Sequence, residues 1–415
     1  MIKGLKNLKS LGPIIAWGMY DLANQFFALS IVSLYFVRWV TIEKGAPEIF
    51  HSIFFAVSAL SIAAAAPIMG AISDLTRRRR VFLVSFTLLS VVFTMMLGVS
   101  DNVFLGLTFF AIANFGCQVA VVFYNAILIN IAPKNKIGLI SGFGKMLGYA
   151  GAVIALYLMK PIVLRYGYQA TFFPTGLLFL IFASPCLLLV KDINPRMDIG
   201  LISFARKEKV LEIFKRLKSI LSQSSSYPGL VDFLKTSFFG MCAINAIIVF
   251  MAVYATRVFH MDEPQIIRLL MLSTVFAMAG SLITGYASDR LGALRMLMAI
   301  FILWGFCFSF GAFIETEGFY WFIGALVGVS LGSTWAVLRA AGIKLVSADM
   351  MGELFGLFNI VGYISGAVGA VFWGIIVFVF SPLGELSYRI ALFGLNIFLV
   401  IGFVFLLRIF KLSTQ

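Results

Sequence analysis

The chain has 415 residues, of which 61% are hydrophobic and only 12% are charged, and it contains 44 phenylalanines. A soluble protein of this length cannot bury so much apolar surface, so the composition excludes a soluble enzyme, a nucleic-acid-binding domain, a disordered chain and a disulfide-rich secreted module. The net charge of +14 does not favour nucleic acid, because Lys and Arg concentrate at the termini and in alternate loops while the other loops are acidic. This positive-inside pattern predicts that both termini are cytoplasmic.

Twelve apolar runs are long enough to span a bilayer as helices, each of which needs about 20 residues. They cover residues 14–40, 49–72, 81–99, 103–132, 138–163, 170–190, 229–256, 265–287, 295–314, 318–345, 353–380 and 386–409. The first run is too long for a signal peptide and contains Asp21, so we expect it to remain as a membrane helix. The four cysteines lie inside the runs without metal-ligand spacing, and we expect neither a metal nor a cofactor.

The longest polar interruption, residues 191–228, follows the sixth run. It divides the chain into an N-terminal six-helix bundle, 1–190, and a C-terminal six-helix bundle, 229–415. Around Ser203–Leu221, apolar residues recur at helical spacing among charged ones. This pattern is compatible with an amphipathic helix on the inner leaflet and equally with a plain linker.

The two halves of the chain repeat one another. Gly70-Ala-Ile-Ser-Asp74 recurs as Gly285-Tyr-Ala-Ser-Asp289, 215 positions later. In the same way, the Gly142-x-x-Lys145-x-x-Gly148-Tyr149 motif recurs as Gly356-x-x-Asn359-x-x-Gly362-Tyr363, 214 positions later. Two matches at nearly one offset predict an all-α membrane protein built from two parallel six-helix repeats.

The segment from Gly70 to Arg80 resembles the signature loop of the major facilitator superfamily, and Gly285 to Gly292 follows the same pattern more closely. The resemblance implies the major facilitator fold and alternating-access transport. It also implies that gating involves Gly70, Asp74, Arg77, Arg78, Gly285, Asp289 and Arg290. The two glycines would let a neighbouring helix approach closely, and the arginines would pair with Asp74 in one conformational state. A positive-inside anchor would explain the arginines but not the repeated aspartate.

A narrower resemblance rests on three motifs in the first, fourth and fifth runs. They are Trp17-Gly-Met-Tyr20-Asp21-Leu-Ala-Asn24, Phe123-Tyr124-Asn125-Ala126 and Ser141-Gly-Phe-Gly144. These motifs are similar to those of the vacuolar amino-acid effluxers, the autophagy-related branch of the superfamily, and of their bacterial relatives. The resemblance implies export of a neutral amino acid or a related small organic molecule.

Ionisable side chains within membrane spans are costly, and they usually face a cavity or a partner. Away from the run ends, the chain has Asp21, Lys145 and Arg339. At about 1.5 Å of rise per residue, Asp21, Lys145 and Asn125 lie at one depth. Two interpretations of Asp21 with Lys145 are open: a permanent structural ion pair, and a proton-coupling pair that separates during transport.

In the superfamily, the first, fourth, seventh and tenth helices line the cavity. The resemblance and the polar residues together give the substrate-binding candidates Asn24, Asn125, Asn245, Arg339, Asn359 and Trp335. The Arg339 guanidinium suits a carboxylate or a phosphate, and the alternative is an arginine that extends to the interface. Phe26, Phe27 and Tyr363 are further candidates for an apolar wall.

The chain contains no Gly-x-x-x-x-Gly-Lys-Ser/Thr loop, so we expect transport that is passive or ion-coupled. The expected partners are a small-molecule substrate, membrane lipids and protons, without nucleic acid, and the chain is expected to be a monomer in a bacterial or archaeal cytoplasmic membrane.

A transporter or flippase for an amphipathic, lipid-like substrate is the main alternative. A membrane-embedded enzyme or a transport-dead sensor is less favoured, because Asp21 has no second carboxylate beside it and His51 and His260 are expected to be exposed near the outer face.

Overall fold

A computed structural model of the chain describes residues 8–76, 78–131, 137–192, 229–343 and 351–414. These residues are almost entirely helical, and they include 12 helices long and apolar enough to cross a membrane. The predicted all-α membrane fold with twelve spans is therefore confirmed. All four cysteines are free and buried, as expected for small apolar side chains inside the spans.

Six membrane helices precede residue 192. They are α1 (Leu8–Phe27), α2 (Glu48–Thr76), α3 (Arg79–Leu97), α4 (Val103–Ile131), α5 (Ile137–Tyr166) and α6 (Phe172–Leu189). Helix α1 continues beyond Phe27 as wider π-helical turns over Ala28–Leu34 and Trp39–Glu43, with an α-helical piece, Tyr35–Arg38, between them. The first span is therefore continuous from Gly12 to Glu43.

Six more membrane helices follow residue 229. They are α7 (Leu230–Phe259), α8 (Glu263–Leu291), α9 (Ala293–Phe313), α10 (Glu317–Ile343), α11 (Met351–Val379) and α12, which has two pieces, Glu385–Gly394 and Asn396–Thr414. Helix α8 begins with a capping box, in which Asp262 and Gln265 each accept a 2.8 Å hydrogen bond from the other's backbone N–H. Gly292, at a φ of +95°, separates α8 from α9.

Contacts divide the chain into two compact units. The first comprises Met1–Trp39 and Ala64–Ile213, and the second comprises Val40–Ala63 and Phe214–Gln415. The predicted division into 1–190, 191–228 and 229–415 follows chain order, whereas the contacts group the α1–α2 hairpin, residues 40–63, with the second unit. The helix considered for Ser203–Leu221 lies outside the described residues.

The two units repeat one pattern of helix packing. In the first unit, α1 packs against α5 and α6, and α3 packs against α4 and α6. In the second unit, α7 packs against α11 and α12, and α9 packs against α10 and α12. Each of these pairs in the second unit corresponds to the pair six helices earlier, which is the relation that the repeated motifs predict. In addition, α8 packs extensively against α10, and no contact of that extent joins α2 to α4 among the described residues.

Glycines bring the helices of each unit into backbone contact. A Cβ atom at Gly151 of α5 would overlap the carbonyl oxygen of Leu22 in α1, and one at Gly369 of α11 would overlap that of Cys242 in α7. Gly332 places α10 against α8 in the same way. Burial of apolar side chains does not drive helices together in lipid, so close approach through small residues contributes much of the packing energy.

Candidate functional site

An ion pair joins α1 and α5 in the first unit. Lys145 Nζ lies 3.1 Å from Asp21 Oδ1. The Asp21 side chain is only 6% exposed, whereas that of Lys145 is 56% exposed. Leaving either charge alone within a membrane span would cost several kcal/mol, and the pair avoids that cost. The structure thus brings together the two residues that were predicted for proton coupling.

Small residues of α5 allow this pairing. A Cβ atom at Gly144 would lie 2.7 Å from the Trp17 ring and 3.3 Å from Asp21 Oδ2. A Cβ atom at Gly148 would lie 3.6 Å from the carbonyl oxygen of Asp21. Because residues four apart share one face of a helix, the glycine face of α5 lies directly on α1. Lys145 follows Gly144 and reaches Asp21 from the edge of this contact.

Aromatic rings close off the buried side of Asp21. Trp17 stacks on Tyr124 with 4.6 Å between ring centroids, and Tyr20 stacks on the same ring at 4.9 Å. Trp17 Nε1 donates a 3.0 Å hydrogen bond to the Tyr124 carbonyl, which ties α1 to α4. All three rings are buried. One side of Asp21 is therefore covered by packed aromatic rings, and Lys145 contacts its other side.

The other candidates of the first unit have different surroundings. Asn24 Oδ1 accepts a 2.9 Å hydrogen bond from Cys117 Sγ, and Asn125 is exposed on α4. Phe26 and Phe27 are completely buried, and Phe26 stacks on Phe182 at 5.3 Å. The suggestion that Phe26 and Phe27 line a pocket is therefore wrong, because their rings are core packing.

In the second unit, Asn245 lies at the contact between α7 and α11. Its Nδ2 is 3.5 Å from both the Gly362 carbonyl oxygen and Ser365 Oγ. Asn359 is exposed on α11 and Trp335 is 37% exposed on α10. Arg339 lies within α10, and its side chain is outside the described part of the structure.

The gating motifs lie at the ends of α2 and α8. Both helices extend through their motifs, so the backbones of Gly70, Asp74, Gly285, Asp289 and Arg290 are helical. Among the described residues, a Cβ atom at Gly285 would have no neighbour within 4 Å, so a close helix approach at this glycine stays a prediction.

The charged residues of these motifs are described only in part. Arg77 and the side chains of Asp74 and Asp289 lie outside the described residues. Arg78 is half-buried before α3, and Arg290 is exposed.

Two neighbouring arginines bind main-chain carbonyls of other helices, which the sequence did not predict. Arg79 Nη1 donates a 2.8 Å hydrogen bond to the Ala126 carbonyl in α4. Arg80 Nε donates a 2.7 Å hydrogen bond to the Leu187 carbonyl in the last turn of α6, and the Arg80 backbone N–H donates to Asp192 Oδ1 at 2.9 Å. The Arg80 cation is favourable at the end of α6 because the last carbonyls of a helix carry partial negative charge.

A second buried polar cluster fixes the α1–α2 hairpin within the second unit. The Tyr388 hydroxyl donates a 2.5 Å hydrogen bond to Glu48 Oε1, and Arg257 Nη2 donates a 2.6 Å bond to the Thr41 carbonyl. Arg257 also interacts electrostatically with Tyr388. Glu48 and Tyr388 are only 7% and 9% exposed. We call Thr41, Glu48, Arg257 and Tyr388 the hairpin cluster.

The two histidines differ in exposure. His51 is completely buried, and its ring packs against Phe250 with 5.8 Å between centroids. The expected exposure of His51 is therefore wrong, because α2 begins at Glu48 and places His51 in its first turn, against α7. His260 is exposed as expected, and its Nε2 lies 3.0 Å from Glu385 Oε1.

The sequence profile of the Major Facilitator Superfamily matches residues 22–370 of the chain. The chain belongs to the Major Facilitator Superfamily. It is also 27% identical to the uncharacterized MFS-type transporter YxiO of Bacillus subtilis (strain 168), over 94% of this chain and 93% of that protein. This major facilitator protein is thus an integral membrane transporter with 12 candidate spans.

Solved structures of the superfamily have the same fold. A bacterial homologue of the human lysosomal transporter Spinster, inward-facing and unoccupied, matches with a TM-score of 0.71 and 13% identity, over 97% of both chains. The nucleoside transporter NupG matches with a TM-score of 0.71 and 13% identity, over 97% of this chain and 99% of that one. At this identity the likeness concerns the fold alone.

Proposed function

We propose that this major facilitator transporter couples proton movement to the export of a small solute, a neutral amino acid or a related small organic molecule. It does so as a monomer in a bacterial or archaeal cytoplasmic membrane, with both termini inside. The observation that carries the proposal is the Asp21–Lys145 pair, in which a buried carboxylate lies 3.1 Å from the ammonium of a lysine whose side chain is 56% exposed.

The pair supports proton coupling for a physical reason. An adjacent ammonium favours the ionised form of a carboxyl group, whereas burial without a partner favours the neutral acid. A conformational change that moves Lys145 away from Asp21 therefore drives proton uptake, and the return of Lys145 drives proton release. Alternation between two such states is the basis of coupled transport in this superfamily.

The amino-acid part of the proposal rests on the motifs of α1, α4 and α5 that resemble the vacuolar amino-acid effluxers. Exposure supports Asn125, Asn359 and Trp335 as substrate contacts, since each presents a polar or aromatic group at the surface of its own unit. Asn24, Asn245 and Arg339 complete the proposed set. The glycines, aspartates and arginines of the two gating motifs are proposed to control access.

Transport by purified protein in liposomes that contain a pH-sensitive dye tests this function. A pH gradient should drive accumulation of a neutral amino acid, and addition of that amino acid should move protons in the protein-containing vesicles only. Equal rates with and without the gradient would overturn coupling. Transport of a lysolipid in place of the amino acids would favour the lipid-like alternative.

A further inference from the structure

Asp21 engages only one side of the Lys145 ammonium. An ammonium has three N–H donors, and the described contact directs one of them to Asp21 Oδ1. The Asp21 side chain, which accepts this hydrogen bond, is buried, whereas more than half of the Lys145 side chain is exposed. The described contacts give the remaining donors of Nζ no second acceptor, and the side chain that carries them is more than half exposed.

The exposure of the Lys145 side chain is compatible with contact to water and not with contact to lipid. Lys145 lies eight residues into α5, about 12 Å from the start of the helix, and it is the third residue of the candidate span Phe143–Tyr166, where Asp21 holds its ammonium. A charge facing hydrocarbon within a span would cost several kcal/mol. The repeat-equivalent residue of the second unit, Asn359, is also exposed. Each unit thus presents a polar side chain at this position of its fifth helix.

Further hydrogen-bond donors accompany Lys145. Tyr149 lies one turn further along α5 on the same face, is half-buried, and is within electrostatic reach of Asp21. On α1, Gln25 lies one turn beyond Asp21, and its amide side chain runs along Gly148. An ammonium, a phenol and an amide along one edge of the α1–α5 contact are donors suited to an anionic oxygen group.

We propose that the exposed side of Lys145, together with Tyr149 and Gln25, binds a carboxylate group of the transported molecule. The inference rests on the proposed transport function and names the substrate class of that site: a molecule with a free carboxylate, whether a zwitterionic amino acid or a simple monocarboxylate.

Charge balance links this subsite to Asp21. The ion pair is neutral, so a monocarboxylate bound to Lys145 leaves one net negative charge in a medium of low dielectric constant. A proton on Asp21 cancels that charge, because the carboxylate of the substrate then takes the place of Asp21 as the partner of Lys145.

Ligand-induced shifts of the melting temperature of the purified full chain test the subsite. The probes are acids paired with their amides, lactate with lactamide and leucine with leucinamide, together with a nucleoside and a lysolipid. We expect each effective acid to bind the parent protein at least about tenfold more tightly than its amide, a difference of about 1.4 kcal/mol. The acid that binds identifies the source of the carboxylate.

Asp21→Asn combined with Lys145→Met removes the subsite without stranding a charge, and it should abolish the preference for acids. Lys160→Met, a lysine substitution later in the same helix, should leave the preference unchanged. Retention of the preference in the double variant overturns the inference, and so does a parent protein that no carboxylate stabilises.

The outcomes also separate this inference from the proposed function. If only the nucleoside or the lysolipid binds and crosses the liposome membrane, transport stands and the carboxylate subsite is wrong. If acids bind through Lys145 but none crosses the membrane, the subsite stands and the proposed function is wrong.

Discussion

Asp21 in the first unit, inside its membrane span, and Glu48 in the second, at the first residue of its span, are both buried carboxylates, but their partners differ in exposure. Lys145, the partner of Asp21, is 56% exposed. Tyr388, the partner of Glu48, is only 9% exposed and interacts in addition with Arg257. Both carboxylates obey the rule that a charge in the membrane needs a partner. Because Lys145 is accessible, Asp21 can exchange this partner for another. The hairpin cluster is buried, so its contacts separate only when the helices that carry them move apart.

This difference predicts separate consequences for coupling and for stability. Changes at Asp21 and Lys145 should alter what is transported and with how many protons. Changes in the hairpin cluster should alter how firmly residues 40–63 are held to α7 and α12, because Arg257 binds the main chain at Thr41 and Tyr388 binds the first turn of α2.

The largest expected effect is that of Asp21→Asn on proton-driven accumulation, which should fall to the level of empty liposomes. The amide cannot carry the proton, whereas exchange of substrate across the membrane in the absence of a gradient should remain measurable. Uptake of labelled substrate with and without a pH gradient checks both statements. Gradient-driven accumulation equal to that of the parent would show that the pair is not the coupling site.

Gly144→Ala should have the next largest effect. The new Cβ atom would lie 2.7 Å from the Trp17 ring, so α1 and α5 must separate where the ion pair forms. We expect the free energy of unfolding to fall by about 2 kcal/mol and coupling to weaken. Chemical unfolding in detergent and liposome uptake measure the two effects. The control is Gly148→Ala, whose Cβ atom makes only ordinary contacts, and equal losses in both variants would contradict the assignment.

Tyr388→Phe tests the hairpin cluster. It leaves the buried Glu48 without the hydroxyl donor, and we expect a loss of about 2 kcal/mol in the free energy of unfolding with an unchanged proton stoichiometry. Tyr157→Phe, at an exposed position of α5, is the matched control and should change neither quantity. A changed stoichiometry in Tyr388→Phe would mean that the hairpin cluster takes part in coupling.

Glu385→Gln should have the smallest effect. Glu385 pairs with His260 beside the hairpin cluster, but the two side chains are 52% and 75% exposed. Pairs of this kind contribute little, so the free energy of unfolding should change by less than about 0.5 kcal/mol. A loss as large as that of Tyr388→Phe would contradict the role assigned to burial.

The sequence predicted the features that depend on long apolar runs. Twelve spans followed from segment length, and the repeat of the two halves followed from two motifs at nearly one offset. Asp21 and Lys145 were recognised because each interrupts an apolar run, and their similar depth predicted that they meet. In these cases one short segment carries the physical signal.

The hairpin cluster could not be predicted in this way. Glu48, Arg257 and Tyr388 lie at the ends of apolar runs, where a buried polar residue cannot be distinguished by sequence from an exposed loop residue. Their contacts also join three helices that are distant in the chain. The same reason explains the wrong expectation for His51. The π-helical turns of α1 carry no sequence signal either. The number of residues per turn is recognised in a sequence from the spacing of polar and apolar residues, and this helix is apolar on all faces.

A comparison of Asp21→Asn with Asp21→Asn/Lys145→Met tests most directly whether Asp21 carries the coupled proton. Gradient-driven accumulation is measured in liposomes, and the melting temperature is measured for each purified variant. The single variant strands the Lys145 ammonium, so its melting temperature should fall, and the second substitution should restore it because no unpaired charge remains. We predict that the double variant nevertheless fails to accumulate substrate in response to a pH gradient. Accumulation at the parental rate in the double variant would contradict this prediction and would make the pair purely structural.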